Sequence, residues 1–173
     1  MPRLPYHDLK GLPEDLTRML AERPPLNLYR MMPHAASLMP GFLKMGFAIR
    51  TETELDPKIR ELVIQRAGTL MGSRYEVFQH RRIAAKVGAT VESIGAAVTP
   101  GASAGLDAKE ALALEFTDAV IGQVRVSDDL FQKVLAEFGE RQLCEMLLTA
   151  GFYMMVSRFL ENTGVEIEDP PVT

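Results

Sequence analysis

Cysteine is nearly missing from this chain. Of 173 residues only Cys144 is one, so no internal disulfide can form and no pair of thiols can cycle between dithiol and disulfide. No basic cluster is present either: 19 Lys and Arg stand against 23 Asp and Glu, and the formal charge is -4. Arg81 with Arg82 is only a local pair, which leaves no electrostatic footprint for nucleic acid. The opening run MPRLPYHDLKGLPEDL holds no apolar core of signal-peptide length. The longest apolar region, near Leu143 to Val156, is interrupted by Glu145 and falls short of the ~20 residues that span a bilayer. These absences lead to the expectation of a cytoplasmic chain without a membrane partner. Strand-type alternation is wanting too, and no repeat appears beyond recurring helical hairpins.

What remains is the makeup of an ordinary globule, 47% hydrophobic and 24% charged, at a length that suits one all-α domain with a real core. Residues 1–12, with Pro2 and Pro5, read as an extended arm on which His7 is a bystander. Pro13 opens a short helix to Glu22, stopped by Pro24 and Pro25. NLYRMMPH forms another, with His34 at its junction. A helix over 36–51 is disturbed at Pro40 and Gly41; its Met39, Phe42, Met45 and Phe47 are core filler or, in part, pocket lining. Asp56 then Pro57 is a strong helix start. Ile59, Val63, Ala67 and Leu70 make that helix's buried stripe, with Glu61 on the flank beside Gln65 and Gly68. Thr90 caps a helix to about Val98, and 99–107 is a loop. Asp107 and Glu110 make a capping-box pair for a helix to Gly122, and Ser127 caps one ending at Gly139. The last helix, Glu140 to Asn162, is apolar on nearly every side and must be enclosed, centrally or at a subunit contact. The tail, 165–173, is expected to be loosely held.

The chemistry concentrates in GSRYEVFQH, Gly72 to His80. At 100° per residue one stripe of this helix collects Ser73, Glu76, Val77, His80, Ile83, Ala84 and Val87, while Arg74, Gln79, Arg81, Arg82 and Lys86 gather opposite. Glu76 and His80, four residues apart, can meet on one face. Polar groups on a buried seam are costly unless paired, so they either close a structural network or serve a pocket. Ser73 is a helix N-cap or a nucleophile. Cys144, in the apolar run LCEMLL, reads as an inert core thiol. Glu61, Glu76 and His80 together are a thin ligand set for a metal.

The run from Leu55 to Thr90, LDPKIRELVIQRAGTLMGSRYEVFQHRRIAAKVGAT, resembles the core of the carboxymuconolactone decarboxylase family, which includes the AhpD-like alkylhydroperoxidases, and the resemblance extends more loosely to Asn162. The peroxidase branch carries Cys-x-x-Cys-x-x-x-His, with a glutamate twelve residues before the first cysteine. Here Glu61, Ser73, Glu76 and His80 hold those places, so the glutamate and histidine match and both cysteines are gone. The decarboxylase branch has Glu-x-x-x-His in this helix, which Glu76 and His80 fit. The resemblance implies the AhpD-like helical fold, assembled as trimers or hexamers, and makes Glu61 a proton-relay partner of His80. The activity expected is acid–base work, without cofactor or metal, on a small organic acid or lactone. His80 would donate a proton, Glu76 would orient it or polarise a carbonyl, and Ser73 and Tyr75 would supply hydrogen bonds. Arg74 would hold a substrate carboxylate, from its polar face only across to a neighbouring subunit. A dithiol peroxidase is disfavoured, because a hydroxyl at Ser73 cannot undergo the thiol redox cycle. The rival is a ligand-binding or assembly protein that kept the scaffold and lost the redox pair.

Overall fold

Four helix starts, at Asp56, Thr90, Asp107 and Ser127, fall where capping chemistry puts them. The computed structural model describes residues 1–169, and these comprise α1 (Glu14–Ala21), α2 (Asn27–Met31), α3 (Met39–Thr51), α4 (Pro57–Leu70), α5 (Arg74–Lys86), α6 (Val91–Ala97), α7 (Ala108–Gly122) and α8 (Asp128–Thr163). No strand occurs among the described residues, so the architecture is all-α as expected. Asp56 accepts from the backbone N–H groups of Lys58 and Ile59, and Thr90 from that of Ser93. Asp107 and Glu110 bond reciprocally at 2.8 and 2.9 Å, a complete capping box. Ser73 breaks the pattern, since its side chain makes no capping bond to α5.

Two boundaries differ from the sequence reading. The third helix begins at Met39 rather than 36, so Pro40 sits in its first turn, where a missing N–H costs nothing. Asp128 to Thr163 form one long element, yet Gly139 within it has φ 73° and ψ 170°, so the chain is broken at the glycine that was read as a stop. By length and composition α8 is apolar enough to cross a membrane, but 44% of its most apolar stretch is buried against the rest of the chain.

α4 is the axis. It packs against α5, α6, α7 and α8, and every residue from Ile59 to Gly68 is buried. Glu61 is therefore not on a solvated flank: with neighbours on all sides the helix has no outer face at that level. One apolar cluster joins α1–α3 to Ile64, Tyr75 and the C-terminal half of α8, and a second joins Ile59 and Val63 to α7 and the N-terminal half of α8. Arg66, 1% exposed, ties the frame together by donating to the carbonyls of Ala96 and Ala97 and to both oxygens of Asp118.

The arm and the tail as far as Glu168 are both tied to the helices. The arm is non-helical as expected, but Arg3 N–H donates to Thr163 and His7 N–H to Arg30. The tail is not loosely held between Val165 and Glu168. Val165 and Ile167 pack on the first cluster, and the Glu168 carboxylate is 7% exposed. Residues 170–173 lie outside the described part.

Candidate active site

The site is made where α5 lies close against α4. A Cβ added at Gly68 would stand 3.1 Å from Glu76 Cβ and 3.4 Å from Val77 Cγ2, so glycine at that position permits the approach. Glu61 from α4 and Glu76 from α5 then flank the His80 ring. Nδ1 is 2.6 Å from Glu61 Oε2, and Nε2 is 3.4 Å from Glu76 Oε2. Tyr153 of α8 presses on the imidazole edge to face, with ring centroids 4.9 Å apart. Arg60 Nε stands 3.6 Å from the other oxygen of Glu61. All three acid–base groups are buried, Glu61 completely.

Burial alone would push the His80 pKa down. The attraction and hydrogen bond of Glu61, with Glu76 behind, outweigh it, and the pKa rises above the ordinary 6.5. For Glu76 burial is the leading cause and raises the pKa above 4.5, against the pull of His80 and Arg50. Both shifts favour the protonated form, of the imidazole through Glu61 and of the Glu76 carboxyl through burial. Burial also raises the pKa of Tyr153, which stays a neutral phenol.

His80 and Glu76 open onto a cavity of about 430 Å³. Phe42, Phe47 and Phe152 supply apolar wall, while Arg23, Arg50, Arg82 and Lys86 bring four cations against the carboxylates of Glu22 and Glu76. A cavity with that balance attracts anions. Arg50 reaches it from the end of α3, where Gly46 leaves room between Phe152 and the guanidinium. Met39 and Met45 belong instead to the core cluster.

Of the residues singled out from the sequence, Glu61, Glu76, His80 and Tyr75 come together. Tyr75 is buried in the cavity wall, its hydroxyl donating to Glu168 at 2.6 Å and its pKa raised first by burial, then by that bond. Ser73 and Arg74 do not join them. They line a separate recess with Gly68, Thr69 and Val77, where the Ser73 hydroxyl is buried without a hydrogen-bond partner and Arg74 is exposed. Cys144 is exposed, not in the core: on α8 it is Leu143 and Met146 that turn inward. Because Glu61 and Glu76 address opposite nitrogens of one ring, the trio does not converge on a point, and the described residues contain no metal-binding cluster of His, Cys, Asp or Glu.

Arg50, Gln79, Arg82, Tyr153 and Glu168 were missed. Gln79 and Arg82 plot on the polar face of α5, but at these two positions that face meets the tail and the cavity, while Arg74, Arg81 and Lys86 remain exposed. A lone arginine closing the Met- and Phe-rich α3 was the one local sign of Arg50.

Residues 36–119, spanning α3 to α7 and the whole of the acid–base trio, match the carboxymuconolactone decarboxylase family. No curated protein matches the chain. Solved structures do. An uncharacterised peroxidase-related protein from Ralstonia eutropha, described as an alkylhydroperoxidase AhpD core, superposes with a TM-score of 0.85 at 18% identity, covering 98% of this chain and 93% of its own. A second uncharacterised peroxidase-related protein, from a Silicibacter species, gives 0.77 at 16% identity over 95% and 91%. A protein of unknown function from Agrobacterium tumefaciens, with a suggested AhpD-type antioxidant role, gives 0.71 at 18% identity over 84% of this chain and 100% of its own. At such identities the likeness is one of fold.

Proposed function

Since the chain belongs to the carboxymuconolactone decarboxylase and AhpD-like superfamily, we propose that it is an acid–base enzyme acting on a small organic anion, by decarboxylation or by a related lactone hydrolysis or isomerisation. The observation that carries this reading is the buried Glu61–His80–Glu76 array on the wall of a cationic, aromatic-sided cavity. In a decarboxylation the bond from the α-carbon to the carboxylate breaks, carbon dioxide leaves, and the electron pair moves into a conjugated carbonyl as an enolate. His80 or Glu76, whichever is in its protonated form, then gives its proton to carbon, and the proton is replaced from solvent. Arg50 and Arg82 offset the substrate's charge, taking the part first given to Arg74. Glu61 does not line the cavity; it orients the imidazole and stabilises its charged form.

The test is a panel of lactone acids, β-keto acids and unsaturated acids, with carbon dioxide release and ring opening followed separately. His80→Asn and Glu76→Gln are each expected to lower turnover by about 10²- to 10⁴-fold, the usual worth of a positioned proton donor. Turnover unchanged in both variants would remove the proposal. A second reading, a binding protein without turnover, rests on Ser73 and Glu76 standing where the peroxidase branch has its thiols. Carboxylate binding with no turnover across the panel would favour it. With a dithiol reductant no peroxidase activity is expected, and activity that survived Cys144→Ser would refute the redox exclusion.

The assembly proposed is a homo-oligomer. Cys144, Leu148, Gly151 and Met155 are all exposed along α8, Leu148 at 57% and Met155 at 50%, at the 4-3-4 spacing of a helix-pairing seam.

A further inference from the structure

Glu168 lies near the C-terminus, far along the chain from α5, yet its carboxylate is buried and accepts three hydrogen bonds. Oε1 takes the Asn27 N–H and the Tyr75 hydroxyl, and Oε2 takes the Gln79 side-chain amide, each at 2.6 Å. An amide has a donor end and an acceptor end, and an ionised carboxylate can only accept. Glu168 therefore fixes which way Gln79 faces: Nε2 toward the tail, Oε1 away from it. That oxygen accepts from Arg82 Nη2 at 2.6 Å, and Arg82 lines the cavity.

Resting on the reading of the cavity as an anion site, we infer that Glu168 is a positioning residue for ligand recognition. It sets the Gln79 amide, and through it the Arg82 guanidinium that meets the ligand's carboxylate. The C-terminal segment is then part of the binding wall. With Gln at 168, its own amide N–H groups face Gln79, which turns its oxygen to them and presents donors to Arg82. Two donors cannot bond, so Arg82 loses this hydrogen bond, and the guanidinium, which also lies over the Phe78 ring at 5.1 Å, turns away from Gln79. Simple electrostatics predicts the reverse, because removing a negative charge near a cationic cavity should tighten anion binding. The sign of the change separates positioning from bulk charge.

The probes are benzoate and benzamide, a charged and a neutral ligand of nearly the same shape suited to the phenylalanine walls, titrated into the full chain by calorimetry. Wild type should favour benzoate. Glu168→Gln should weaken benzoate about tenfold, the worth of one charge-assisted contact, and leave benzamide unchanged. Arg82→Met should show the same selective loss, and the double variant no more than Arg82→Met alone, as expected for two residues acting in series. Benzoate affinity unchanged or increased in Glu168→Gln overturns the inference, as do losses that add. If Arg82→Met weakens benzoate and Glu168→Gln does not, the relay is wrong while the anion site stands. No benzoate preference in wild type removes both. Should Glu168→Gln fail to fold by circular dichroism, Gln79→Met, which leaves the Tyr75 and Asn27 bonds in place, must give the same selective loss.

Discussion

Two residues with raised pKa values make the site a brake on stability at high pH. For His80, burial opposes the charged form but Glu61 and then Glu76 favour it more strongly; for Glu76, burial is the dominant cause. Both groups bind their protons more tightly folded than unfolded. The resulting stability is fully present below the unfolded pKa and is lost as pH rises through the folded one. For Glu76 the loss begins above the ordinary 4.5, and for His80 above 6.5. The melting temperature is therefore expected to fall as pH is raised above 4.5 through the folded-state value of Glu76 and above 6.5 through that of His80. Glu76→Gln should flatten the lower part of that slope and His80→Asn the upper part. Melting curves with the same slope in all three proteins would show that the pair carries no such linkage. Glu76 and His80 were legible as a pair because a spacing of four puts them on one face. Glu61 was legible only through family resemblance, since nothing local in its own helix marks a residue that four other helices enclose.

Between elements, the close approach of α4 and α5 decides whether the acid–base groups meet. Gly68→Ala places a methyl 3.1 Å from Glu76 Cβ, so α5 must move outward by a few tenths of an ångström. Gly→Ala inside a helix gains about 1 kcal/mol, and overpacking costs about 1–3 kcal/mol, so the net loss of stability is small. The 2.6 Å contact of Glu61 with His80 has no such compensation. Turnover, or failing that benzoate affinity, should drop about tenfold for a melting shift of only a few degrees, the separation expected when geometry and not folding is disturbed. Unaltered function would mean that α5 has slack. A second joint depends on Arg66, which satisfies the terminal carbonyls of α6 and pairs with Asp118 of α7. Arg66→Met strands those acceptors. Asp118 is 38% exposed and finds water, which discounts the usual ~3–5 kcal/mol for breaking a buried pair to about 2–3 kcal/mol. Urea denaturation should register that loss, and a change below about 0.5 kcal/mol would show the joint to be redundant. Helix starts at Asp56, Thr90, Asp107 and Ser127 were readable because a cap is chemistry among three or four neighbouring residues. Arg66 gave no sign, because its partners lie about 30 and 52 positions away.

For the molecule as a whole the sequence pattern was ambiguous at one place, and the fold resolves half of it. A last helix apolar all round must be enclosed, and α8 is enclosed on the side facing α4 and α7, where Leu143, Met146, Ala150 and Tyr153 are buried. The opposite side keeps Cys144, Leu148, Gly151 and Met155 in water. Their 4-3-4 spacing follows one line along the helix, and glycine in the middle lets a second backbone come near. In the proposed homo-oligomer a second copy of this chain would present the same line, so such a contact would be self-complementary. Leu148→Glu puts a charge at the centre of that seam, where burying it unpaired costs several kcal/mol, so subunit affinity should fall at least about a hundredfold. Light scattering at micromolar concentration should then show a smaller species than wild type, with helix content and benzoate binding retained because the cavity lies within one chain. A wild type that is already monomeric would remove the seam, and a Leu148→Glu variant of wild-type size would move the interface elsewhere, most directly to the recess of Ser73 and Arg74, the side from which Arg74 would have to reach a neighbour.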